Sequence, residues 1–126
     1  MEEDEQSKRL ILSGHILIPA TAAGIERGIA KVDLEEITGE DAPALVIAEV
    51  EVQDIKHVAG GSDTLIPFTV SLSSKFVVDS RRDYALRVWI DHDGDGQQSA
   101  GDLYSTERQR VFAGDKKKPI VIRVTR

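Results

Sequence analysis

The sequence contains no cysteine, which excludes disulfides, thiolate metal sites, a thiol nucleophile and a lipid-acceptor cysteine among these residues. Its redox compartment therefore cannot be read from thiol usage. Long apolar runs are also missing. No stretch nears the roughly 18 consecutive apolar residues that cross a bilayer as a helix, and no basic-then-apolar signal pattern stands at the N-terminus, so a soluble chain without a transmembrane segment is expected. There is no G-x-G-x-x-G, no phosphate loop and no nucleophile-elbow serine. The histidines, His15, His57 and His92, fall in separate segments. With no cluster of titratable groups to work on a substrate, a non-enzymatic protein without catalytic residues is expected.

Positive charge is in deficit. Sixteen Lys and Arg stand against 22 Asp and Glu, a formal charge of −6, so most of the surface repels nucleic acid and anionic lipid. The distribution is uneven: Met1 to Gln6 is acidic, while Arg108, Arg110, Lys116, Lys117, Lys118, Arg123 and Arg126 crowd the C-terminal end as a solvated face. Residues 1–8 read as a flexible acidic N-terminus and residues 9–126 as one domain, within the common size range for a single core.

What is present is alternation. Apolar residues recur at every second position, the period of a strand with one buried face. The inward rows are Leu10, Leu12, Gly14, Ile16 and Ile18; then Ala30, Val32 and Leu34; then Val46, Ala48, Val50 and Val52. Ile66, Phe68, Val70 and Leu72 form a fourth row, Tyr84, Leu86, Val88 and Ile90 a fifth, and Ile120, Ile122 and Val124 a last one. Residues 103–112 form the least regular strand. Thr38 to Pro43 and Gly60 to Asp63 read as turns, Pro67 marks an edge strand, and a short helix over Ser73 to Arg82 has weak support. About seven short strands at this spacing predict an all-β, antiparallel, immunoglobulin-like sandwich of two packed sheets.

One motif carries chemistry. Asp91-His92-Asp93-Gly94-Asp95-Gly96 opens a twelve-residue stretch that ends at Asp102, matching the start of a calcium loop. A hard divalent cation requires six or more oxygens. Asp91, Asp93 and Asp95 supply three of these, Gly96 allows the bend, and Gln97 offers its backbone carbonyl. Ser99 stands where contact often runs through water, and Asp102 where the bidentate residue stands, with a shorter reach than the usual glutamate. Calcium is thus the expected ion, in a strand-loop-strand setting and at modest affinity. Read without metal, the same residues form an exposed hairpin loop. Trp89, out of phase with its row, reads as an exposed aromatic or as a ring packed beside this loop.

Ser13-Gly14-x-Ile16 with Pro19, Val32-x-Leu34 followed by Asp41-Ala42-Pro43, Ile66-Pro67-Phe68 and Tyr84-x-Leu86-Arg87 together resemble the YbaY/YscW group of bacterial envelope lipoproteins, which includes type III secretion lipoprotein chaperones, or pilotins. The resemblance covers most of residues 9 to 126. It implies a β-sandwich at the periplasm or outer membrane, lipid-tethered, with a protein partner that in the secretion branch is an outer-membrane secretin. The sequence departs from that group in carrying no lipobox cysteine. A calcium-dependent domain for a small ligand or carbohydrate, with Trp89 or Tyr104 as stacking ring, is the alternative expectation.

Overall fold

The computed structural model describes residues 10–37, 43–112 and 119–126. The expected acidic N-terminus at 1–8, most of the Thr38 to Pro43 turn and Lys116 to Lys118 lie outside them. The strands are β1 (Ile11–Ile18), β2 (Ile25–Ile37), β3 (Leu45–His57), β4 (Thr64–Ser71), β5 (Asp83–Asp91), β6 (Leu103–Ser105), β7 (Gln109–Val111) and β8 (Val121–Thr125). There is no helix among the described residues. Ser73 to Arg82 is a chain of turns instead.

The two-sheet immunoglobulin-like sandwich is not what forms. Hydrogen-bonded neighbours run β3-β2-β5-β6-β8-β1-β4, with β7 beside β6 on the same edge of β5, in one eight-stranded sheet that curls into a nearly closed barrel. The element that overturns the sandwich is β8. It pairs with β6 on one side and, in parallel, with β1 on the other, joining what would otherwise be separate sheets. Alternation tells which face of a strand is buried and says nothing about its neighbour, so neither the single sheet nor the parallel pairing was visible in the pattern. Gly14 makes that pairing possible: a Cβ there would sit 2.7 Å from the Ile120 carbonyl oxygen, and the His15 amide bonds that same oxygen at 2.9 Å.

Most inward rows hold. Ala30, Val32, Leu34, Val88 and Ile90 are fully excluded from solvent, and Ile66, Phe68 and Val70 on β4, with Leu72 just after it, are buried. Each buried aliphatic side chain stabilises the fold by roughly 1.5–3 kcal/mol relative to exposure. Pro67 is exposed on β4, which among the described residues pairs only with β1 and so lies at the end of the path.

Irregularities shift the rows on the long hairpin. Asp54 takes φ = 58° and the β2–β3 register slips near Gly28, so the buried phase of β3 passes from even positions to Ile55 and His57. A second slip between Leu34 and Glu35 sets Val46 opposite Glu35. Val46, expected in the inward row, is 50% exposed. The irregular sixth segment divides into β6 and β7, both paired to β5.

Candidate metal centre

The loop from Asp91 to Asp102 joins β5 to β6. Its ends are fixed by the pairing of Ile90 with Leu103 and Trp89 with Tyr104. Both end carboxylates are buried, Asp91 completely and Asp102 at 2% exposure. Their roles differ.

Asp91 organises the first half. One carboxylate oxygen accepts the Gly94 amide at 3.1 Å, the other the Gly96 amide at 2.7 Å, bending the backbone around the acid as in an Asx turn. Gly94 and Gly96 have φ of 68° and 80°, where a side chain would be strained. Asp93 then accepts the Asp95 amide at 3.3 Å and Asp95 the Gln97 amide at 2.9 Å. The result gathers carboxylate oxygens of Asp91, Asp93 and Asp95 within 4.8 Å of one another. The proximity shows in the Asp93 carboxyl, raised above the ordinary range first by hydrogen bonding with Asp91, then by burial and by Asp95. Negative charge crowded in this way favours a cation.

Asp102 closes the loop. Its carboxylate accepts the Trp89 indole N–H at 2.9 Å, the His92 amide at 3.1 Å and the Ser99 amide at 3.1 Å, and it pairs with the His92 ring at Nδ1. Burial alone would raise this acid, yet the bonds from His92, Trp89 and Ser99 hold it below the ordinary value. The same contact raises the His92 imidazole. Gly101 (φ 101°) leaves room for that ring, since a Cβ would stand 3.2 Å from it.

The structure therefore brings Asp91, Asp93 and Asp95, three of the six expected ligands, into one group, with Asp93 shared between it and a second group. Gln97 and Ser99 engage the loop through their amides, and Asp102 belongs to a second group with His92 and Asp93. Either group could coordinate a metal ion. His92, which falls at a non-ligand position of the loop motif, is the residue that motif spacing misses. Trp89 takes the second of its two expected places: its N–H is held by Asp102 and Lys31 lies 5.0 Å over its ring. That face is not free for a sugar.

A second acidic cluster lies on the outer face of the β3-β2-β5 hairpin region. Register sets Asp33 between Glu49 on β3 and Arg87 on β5. The Asp33 carboxyl is pushed up to about 7 by burial, then by hydrogen bonding and charge repulsion from Glu49 and by Glu35, with Arg87 opposing. Glu35, buried at 7% exposure, meets Arg87 at 3.6 Å. Single strands in the sequence do not display such cross-strand neighbours.

No protein-family profile and no curated protein matches the chain. A solved structure of an alternative pilotin from the type II secretion system of Vibrio cholerae does: it superposes with a TM-score of 0.60, covering 93% of this chain and 99% of that one, at 17% sequence identity. At that identity the likeness is one of fold. The chain thus shares a fold with a bacterial pilotin, and no helix among its described residues is long and apolar enough to cross a membrane.

Proposed function

We propose that this protein is a non-enzymatic assembly module of the bacterial cell envelope, acting as a pilotin-type chaperone on an outer-membrane protein of the secretin type. The observation that supports this reading is the fold likeness across nearly the whole of both chains. The YbaY/YscW-like residues Ser13-Gly14, Ile66-Pro67-Phe68 and Tyr84-x-Leu86-Arg87 agree with it, three of the four motif blocks falling on β1, β4 and β5 of the barrel. A partner-binding role needs a rigid scaffold and an accessible surface rather than a cleft of reactive groups.

The loop serves that scaffold. In this reading a calcium ion is held by Asp91, Asp93 and Asp95 with the Gln97 carbonyl and, through water, Ser99. It offsets the crowded negative charge and pins the β5–β6 hairpin. Asp102 fastens the loop through its hydrogen bonds, and a metal contact from it would require it to release a donor.

The test is co-expression with the secretin-type protein of its own host. The expected result is co-purification of the two and a larger outer-membrane share of the secretin. An unchanged secretin distribution with no complex would contradict the reading.

A further inference from the structure

Among the described residues the barrel has a seam between β3 and β4. Among the described residues β3 pairs only with β2 and β4 only with β1, although β3 and β4 follow each other in sequence and touch. Each strand therefore presents an unpaired row of backbone N–H and C=O groups toward the gap, the arrangement that accepts an added strand.

Burial on the two sides of the β2–β3 pair shows what is missing. Across the ladder, Ala30, Val32 and Leu34 of β2 are fully buried, while their partners Val52, Val50 and Ala48 of β3 are only half-buried. All of them pack on the same core. Half of an apolar row is thus left where the next strand of a closed barrel would cover it. The opposite face of the same stretch carries Glu49 and Glu51, both exposed. Lys31 reaches this row at 3.7 Å from Glu51, and Asp33 stands beside Glu49. A second copy of this chain is a poor occupant, since antiparallel pairing of two β3 edges would set these glutamates against each other.

We propose that the free edge of β3 from Ala48 to Val52 takes a strand of a partner protein that alternates apolar residues with lysine or arginine. The apolar residues would complete the half-covered row, the basic ones would meet Glu49 and Glu51, and the ladder would supply the remaining bonds. Asp54, with its positive φ beside the register shifts at Gly28, interrupts the regular edge beyond Val52. The inference rests on the partner-binding reading above and adds the mode of recognition.

The experiment uses the isotopically labelled full chain and a blocked eight-residue peptide alternating valine and lysine. Controls are the valine–glutamate peptide and a shuffled valine–lysine peptide. The expected result is slowed amide exchange on β3 with the alternating basic peptide alone, and a preference of at least about tenfold over both controls. Glu49→Lys/Glu51→Lys, a change at exposed positions, is expected to reverse the preference toward the glutamate peptide. Equal binding of the shuffled peptide, indifference to the charge reversal, or β3 edge amides already slow in the free protein would overturn the proposal. Co-purification with the secretin-type protein that persists in Glu49→Lys/Glu51→Lys leaves the assembly reading standing and refutes the strand. Peptide capture as described without any such complex does the reverse.

Discussion

Two acidic regions of this molecule use the same side chain in opposite ways. In the 91–102 loop each aspartate is wired to backbone amides: Asp91 to Gly94 and Gly96, Asp93 to Asp95, Asp95 to Gln97, and Asp102 to His92 and Ser99. On the outer face of β2 and β3, Asp33 stands beside Glu49 across the ladder, and burial first, then Glu49 and Glu35, hold its carboxyl up to about 7. Loop backbone can turn its donors toward carboxylates and fix their oxygens around a point, whereas a strand leaves its carboxylates in a row. A point suits an ion, and a row suits an extended basic chain.

The largest effect is expected from Asp102→Ala. Its side chain is fully buried, and its loss strands the Trp89, His92 and Ser99 donors, a cost of about 3 kcal/mol or more. Urea unfolding measures it. Asp102→Asn keeps the shape and is expected to cost less, which separates charge from packing.

Next comes the ion. Calcium at about a hundred times its dissociation constant is expected to stabilise the fold by about 2.7 kcal/mol, a rise of several degrees. Asp93→Ala/Asp95→Ala is expected to abolish the rise, and thermal unfolding after chelation reads both.

The strand face responds to protons instead. Because Asp33 binds its proton more tightly folded (about 7) than at its ordinary value of 3.8, its contribution is fully present below pH 4. It falls as pH rises toward 7 and is flat above that. Asp33→Asn is expected to remove this decline and to stabilise the protein at pH 8 by about 1 kcal/mol, after discount for the solvent around a half-buried group. Denaturation across pH 4 to 8 decides it; an unchanged slope would remove Asp33 as its source. Smallest is Arg87→Ala. The Arg87 side chain is 67% exposed, so its pair with Glu35 is worth about 0.5 kcal/mol, though the variant is expected to raise the Asp33 titration further in a carboxylate-resolved spectrum.

Sequence alone reveals these regions unequally. The loop is legible because its chemistry is local: a D-x-D-x-D-G spacing places three carboxylates whatever surrounds them, and the gathering of Asp91, Asp93 and Asp95 follows. The part played by Asp102 is less so, because Trp89 and His92 reach it by side-chain directions that spacing does not encode. Alternation identifies Val32, Val88 and Ile122 as core. It misplaces Val46, where a register slip intervenes, and it cannot see that β8 joins β6 to β1 in one sheet, since pairing partners are set by packing across the whole barrel. The Asp33 face was hidden for the same reason: its members are neighbours only across strands.

The most direct measurement is a calcium titration of the chelated protein followed by its amide and carboxylate spectra. Shifts confined to 91–102, saturating with one ion and lost in Asp93→Ala/Asp95→Ala, are the result expected if the loop is the ion site and the strand face is not. Shifts at Asp33, Glu49 and Glu51 with the loop unmoved would contradict that division.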